Sequence, residues 1–146
     1  LAVGTLTAAV LQPADGPPVY ERPLVLESTP PDPATTPPLE EFLGVRSTAP
    51  DQLSLEITDE LRNPWGILHG GATASLVDLA GRHTVGGRAT TDAVLHFVSP
   101  GRVGPITATA TSFGARADGH LLRVEVRDTG ADDRLVATAI TTVSLT

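Results

Sequence analysis

From Asp51 onward the chain alternates apolar and polar positions, and one stretch interrupts this with helical spacing. Leu53, Leu55 and Ile57 alternate with Ser54, Glu56 and Thr58, the period-two mark of a strand with one buried face. Thr90 to Val98 turns Ala93, Leu95 and Phe97 to one side, and Ile106 to Phe113 does the same with Ile106, Ala108 and Ala110. His120 to Asp128 sets Leu122, Val124 and Val126 against Arg123, Glu125 and Arg127. A turn at 129–132 then leads into a last strand, Arg134 to Leu145. The interruption is Gly71 to Gly81, where Ala72, Leu76, Leu79 and Ala80 fall at i, i+4, i+7 and i+8 on one helical face. Gly81 and the Gly86-Gly87 pair are the expected stops, and Asn63 to Gly66 is a turn. One strand, one helix and four strands predict an α+β fold, an antiparallel sheet with a single helix on one face.

The chain before Asp51 has a different texture. Residues 12–50 are dense in proline, including Pro17-Pro18, Pro30-Pro31 and Pro37-Pro38, so an extended linker is expected there, with one helical turn over Leu39 to Leu43. Leu1 to Leu11 is apolar and β-like. No basic segment precedes it, which argues against a signal peptide. Laid without gaps on Leu135 to Leu145, it places Leu6-Thr7 on Ile140-Thr141 and Leu11 on Leu145. The segment is therefore expected to be the last strand of a preceding, truncated copy of the same domain. The chain contains no Met, and something upstream of Leu1 is expected to be missing. The organisation predicted is 1–11 strand, 12–50 linker and 51–146 compact domain.

Composition narrows the class of function. The chain has no cysteine, which excludes a disulfide framework, a thiolate nucleophile and a cysteine-ligated zinc. A formal net charge of −7 argues against non-specific binding to nucleic acid or to an anionic membrane surface. No apolar run approaches the roughly 20 residues that span a bilayer. A soluble protein is expected.

The densest chemistry lies between Asn63 and Asp78. Gly70 and Gly71 stand where the helix begins, with backbone N–H groups that lack intrahelical partners and no side chain to obstruct them. The positive end of the helix dipole favours an oxygen that is gaining charge, the geometry acyl transfer requires. A Gly-Gly pair also serves simply to ease a tight junction. Asp78 lies within the helix among Leu76, Val77 and Leu79, where a carboxylate could activate water or attack a carbonyl, or could merely face solvent. Gly70 and Asp78 are eight residues apart, which along one helix is about 12 Å. They cannot serve one carbonyl from the same helix. Two such helices, antiparallel about a two-fold axis, would bring Gly70 of one to Asp78 of the other.

The spacing Asn63, His69-Gly70-Gly71 and Asp78, with the strand Thr90 to Pro100, resembles the phenylacetate-pathway (PaaI-like) branch of hotdog-fold acyl-CoA thioesterases. The resemblance extends from about Asp51 to Leu145. It implies a hotdog fold, hydrolysis of acyl-CoA thioesters, and Asp78 as nucleophile or general base. It further implies that Gly70 donates its N–H to the thioester oxygen and that Gly71 lies against the substrate. By the same resemblance Asn63 and His69 shape that end of the site and the Thr90 hydroxyl helps to place water. Beyond coenzyme A as part of the substrate, no cofactor or metal is implied. A cytoplasmic homodimer, or dimer of dimers, sharing its sites is the implied assembly. Only eleven residues (79–89) separate Asp78 from Thr90, fewer than is usual in the family, so the helix or its following loop is trimmed.

Other residues carry less. His83, His96 and His120 have no metal-ligand spacing, and Trp65 reads as packing for the turn. Arg102, Arg116 and Arg123 suit phosphate but stand at strand ends or in loops. Two other functions compete. Hydratases of acyl thioesters on the same fold need a His paired with Asp or Glu, and here His69 precedes the helix. A non-catalytic acyl-CoA-binding module, or the structural half of a tandem protein, would need neither group for chemistry.

Overall fold

The computed structural model describes residues 36–146, so the strand expected at 1–11 and residues 12–35 of the linker lie outside the described residues. In chain order the elements are α1 (Leu39–Leu43), β1 (Arg46–Ala49), β2 (Gln52–Leu55), α2 (Gly70–Val85), β3 (Ala89–Phe97), β4 (Ile106–Arg116), β5 (Gly119–Asp128) and β6 (Arg134–Ser144). All six strands form one antiparallel sheet in the order β1-β2-β4-β5-β6-β3. This is the α+β, hotdog arrangement that the alternation and the resemblance implied.

β2 ends at Leu55, short of the alternation that was read to Thr58, and β4 runs past Phe113 to Arg116; two further boundaries differ for a clear physical reason. Residues 46–49 were assigned to the linker, yet they form β1, with Arg46 opposite Ser54 of β2. Most of β1 is exposed, so no apolar alternation marked it as a strand. Gly81 does not end α2. It is buried in mid-helix, where a methyl group would come within 3.3 Å of Thr141 Oγ1 and 3.4 Å of Val143 Cγ2. Glycine is there because the sheet approaches closely. The helix runs on to Val85 and is capped by Gly86, whose φ of 62° suits glycine, with the Gly87 N–H donating to the Arg82 carbonyl at 2.9 Å.

The core lies between α2 and the middle of the sheet. Leu76 and Ala80 of the helix meet Ile106 and Ala108 of β4 and Leu122, Val124 and Val126 of β5, all fully buried. Each such Leu, Ile or Val contributes about 1.5–3 kcal/mol on leaving water. β3 behaves differently. Its Ala93, Leu95 and Phe97 face the same side as Thr141, Ala139 and Ala137 of β6, as the alternation predicted. Ala93 and Phe97 are nevertheless exposed, because a single helix covers the central strands and leaves most of this edge strand open.

The alternation of β5 continues one position too far for an apolar core. Asp128, in phase with Leu122, Val124 and Val126, is fully buried. Its carboxylate accepts the backbone N–H groups of Arg102 at 2.7 Å, Val103 at 2.9 Å and Gly104 at 2.8 Å. Burial pushes its pKa up. The bonds from Val103, Arg102 and Gly104, with the charge of Arg134, outweigh burial and hold the pKa below the usual carboxylate value. The contribution to stability is therefore present above the unfolded pKa, about 3.9, and is lost as pH falls through the lower folded value. Asp128→Ala should leave three backbone donors without their acceptor, that of Gly104 buried, and lower the unfolding free energy by about 3 kcal/mol in urea titrations at pH 7. In an acid series, the wild-type chain should lose stability more steeply below about pH 4 than Asp128→Asn, which has no carboxylate to protonate.

Candidate active site

The loop that delivers α2 is built around Asn63. Its Oδ1 accepts the N–H groups of Trp65 at 3.0 Å and Ile67 at 3.3 Å, while its backbone bonds to Ile67 and Gly66 close the turn. Arg62 fastens the turn from outside by donating to the carbonyls of Gly66 at 2.7 Å and Arg102 at 3.3 Å. The Leu68 N–H donates to the Gly101 carbonyl and the His69 N–H to the Leu61 carbonyl. The entry to α2 is thus bonded on both sides.

His69 is the residue before the helix. Its extended backbone turns the ring back so that Nδ1 accepts the Gly71 N–H at 3.0 Å. Acceptance requires a lone pair on Nδ1, which puts the neutral ring's proton on Nε2. Gly71 was expected to lie against substrate, but its N–H is already engaged by this ring. Its missing side chain makes room for the ring instead, since a methyl there would stand 3.1 Å from His69 Nδ1. The Gly70 N–H, by contrast, has no acceptor among the described residues. A methyl on Gly70 would make ordinary contact, 3.5 Å, with Phe97 Cζ, so packing does not demand glycine at this position.

A cavity of about 440 Å³ opens beside this helix terminus. Ile67, Leu68, Phe97, Val98 and Val136 give it an apolar wall, and Asn63, Thr73 and Ser99 give polar points. Gly70 lies in its lining; Asp78 and Thr90 do not. Phe97, exposed and standing on Gly70, is a site residue that sequence analysis placed only as an inward strand position.

Asp78 lies eight residues along α2, about 12 Å from Gly70. Its Oδ2 accepts from Arg82 Nε and lies 3.0 Å from the second guanidinium nitrogen. Arg82 also reaches Glu40 of α1 at 3.8 Å. This i,i+4 partner of Asp78 was overlooked in the sequence, although the spacing itself announces it. Both side chains are partly exposed, so the pair is worth well under about 1 kcal/mol.

Thr90 opens β3 opposite Val143, at the end of the strand away from Phe97. Its hydroxyl is buried without a partner. Of the remaining polar residues, His83 bonds Ser47 of β1 at 3.1 Å and His120 bonds Ser112 across the β4–β5 hairpin at 3.0 Å. Among the described residues, no three His, Asp or Glu side chains gather closely enough to hold a metal ion. No helix among them is long and apolar enough to cross a membrane. One chain therefore brings together an unpartnered backbone N–H, an apolar cavity and a capping histidine at one end of α2. It holds a carboxylate apart from them, midway along the same helix.

The acyl-CoA thioesterase N-terminal domain family matches the chain over residues 58–144. No curated protein matches it. Among solved structures, a Bacillus halodurans protein determined with CoA is similar at 23% identity, over 73% of this chain and 74% of that one, with a TM-score of 0.65. The E. coli PaaI protein of the phenylacetic acid degradation operon is 22% identical over 73% of this chain and 83% of its own, at TM-score 0.63. Zebra fish thioesterase superfamily member 2 is 24% identical over 77% and 90%, at TM-score 0.65. At such identities these likenesses establish the fold.

The cap makes a measurable claim. His69→Ala should remove the ring from the Gly71 N–H and cost about 1 kcal/mol of unfolding free energy, as loss of a helix cap does. Denaturant titration of the two proteins checks it.

Proposed function

The chain belongs to the acyl-CoA thioesterase family, a family of thioester hydrolases, and we propose that Gly70 and Asp78 carry the hydrolysis. The observation behind this reading is the unpartnered Gly70 N–H at the positive end of α2, opening on an apolar cavity. A thioester carbonyl oxygen placed there gains a donor and the helix dipole as its charge develops. One water is consumed and the C–S bond breaks. The acyl carbon takes the water oxygen, the sulfur leaves with the bonding pair, and the products are a carboxylic acid and the free coenzyme A thiol. Asp78 either removes the water's proton or forms an acyl anhydride that water then opens.

Asp78 cannot reach that carbonyl from its own helix, so the reading includes a two-fold homodimer, alone or as a dimer of dimers. Support comes from β3, a nine-residue edge strand. It exposes Val94 and Phe97, with Val98 just past its end and Ile140 beside Val94 on β6. A long apolar edge of this kind is a template for a second strand. Pairing β3 with its symmetry mate would set the two α2 helices side by side and create two equal sites. The Bacillus halodurans relative was solved with CoA, which supports acyl-CoA as the ligand. A cytoplasmic location rests on the family resemblance alone. A second reading, an acyl-CoA-binding module without catalysis, is favoured by one observation, the ion pair that already satisfies Asp78.

Release of free thiol from a panel of acyl-CoAs separates the two readings. Asp78→Asn should keep fold and oligomeric state while kcat falls by roughly two orders of magnitude or more. Near-wild-type turnover by that variant would refute the assigned chemistry.

Sharing of the site has its own test. Gly70→Pro deletes the donor at a helix position that accepts proline, and His69, at φ −62° and ψ 133°, already has the backbone that a following proline requires. Inactive Gly70→Pro chains mixed with inactive Asp78→Asn chains should regain activity toward half that of wild type as heterodimers form. Proven heterodimers with no activity would rule out the shared site.

A further inference from the structure

The helix that carries both proposed catalytic groups also carries an arginine tied to one of them. Arg82, one turn beyond Asp78, brings its Nε and its Nη2 each to 3.0 Å from a single carboxylate oxygen, Oδ2. Among the described residues no donor meets the other oxygen, Oδ1. In the fork geometry, by contrast, an arginine takes both oxygens of a carboxylate. Arg82 is itself held from a second element. Its Nη2 lies 3.8 Å from Glu40 of α1. The backbone of Glu40 is fixed in turn, since its carbonyl accepts the Val45 N–H at 3.0 Å and Leu43 of the same short helix is buried in the core. The next residue of α2, His83, stands 3.1 Å from the Ser47 hydroxyl and ties the same turn to β1. A pair that served the helix alone would need none of this bracing.

We infer that Arg82 is a positioning residue for the hydrolysis. It holds Asp78 by Oδ2, so that Oδ1 is the oxygen offered to water or to the thioester carbon, and Glu40 keeps the guanidinium in place from α1. The inference rests on the reading of Asp78 as the catalytic carboxylate. The terminal torsion of an aspartate is broad, so an untethered carboxylate presents its oxygens over a range of directions. Misplacing a reacting group by about 1 Å can cost about a hundredfold in rate, far more than an exposed ion pair contributes to folding. The stretch that holds α1, expected from the sequence to be linker, becomes part of the site by this route. Two other roles predict different signs. If the pair serves only the helix, its loss leaves turnover alone. If it sequesters the carboxylate, as a binding module would allow, its loss raises turnover.

The test compares wild type, Arg82→Gln, Arg82→Lys, Glu40→Gln and Asp78→Asn for kcat, KM and urea midpoint on the same acyl-CoA. Arg82→Gln should keep a midpoint close to that of wild type while kcat falls roughly tenfold at near-constant KM. Arg82→Lys, which restores a charged donor, should recover part of the loss. Glu40→Gln, which loosens Arg82 without removing it, should lower kcat by roughly two- to threefold. If Arg82→Gln stays within about twofold of wild-type kcat while Asp78→Asn is inactive, the positioning role is wrong and the Asp78 assignment stands. A higher kcat in Arg82→Gln shows the pair to be sequestering and overturns the role as well. So does a rise in KM at constant kcat, or a kcat loss that Lys does not repair. Wild-type kcat in Glu40→Gln overturns the part given to α1. An active Asp78→Asn, or a wild-type chain that releases no thiol, overturns the parent reading and the inference with it.

Discussion

A carboxylate removed from water must find its solvation within the protein, and the way Asp128 does so organises the end of the molecule where the cavity lies. Its two oxygens take three consecutive N–H groups, from Arg102 to Gly104, and fix the backbone of that loop. The carbonyl just before them, that of Gly101, is then in place to accept the Leu68 N–H, and the Arg102 carbonyl to accept from Arg62. Through these bonds the loop after β3 and the loop before α2 become the two walls of one cavity, with Gly70 between them. Neither loop is braced by a strand ladder: the loop before α2 holds one 3-10 turn, Asp59–Leu61, and a single bridge between Arg62 and Leu68. The buried charge supplies what a ladder of strand bonds would supply elsewhere, and charge-assisted bonds are the stronger kind.

How much of this could be read beforehand depended on whether a residue's role was local. Period-two alternation marked β3 to β6 because each buries one face, and it failed for β1, whose side chains are mostly exposed. Gly81 looked like a helix stop because glycine is a poor helix former, yet its reason lies across the core in Thr141 and Val143. No local pattern carries that information. Asp128 is the opposite case. It falls in phase with Leu122, Val124 and Val126, and an acidic residue at an inward position signals a buried, bonded charge, although the sequence reading took it only as the end of a strand.

The candidate site divides the same way. The spacing of His69-Gly70-Gly71 and Asp78 singled out the helix that carries both groups. The division of labour between the glycines did not follow from spacing, because it depends on the His69 ring folding back onto Gly71 and leaving Gly70 alone. Phe97 meets Gly70 only because β3 returns antiparallel to α2 after a short loop, a matter of tertiary register. Arg82 was legible by helical arithmetic alone, four residues beyond Asp78.

The composition of α2 on its uncovered side bears on whether two such helices could share substrates. Gly71 and Ala74 are exposed and Asp78 is partly so, and no large side chain lies between Gly70 and Asp78 on that side. Helix axes approach to about 8 Å only where the facing residues are small. In the proposed dimer that approach is what would let a backbone N–H from one helix and a carboxylate from the other bracket a single carbonyl. It would also take Asp78 further out of water, where an unpaired carboxylate is costly. Arg82 answers that cost from the same helix, one turn further along the same uncovered face. The pair is weak while exposed, and its worth would grow as the surroundings dry.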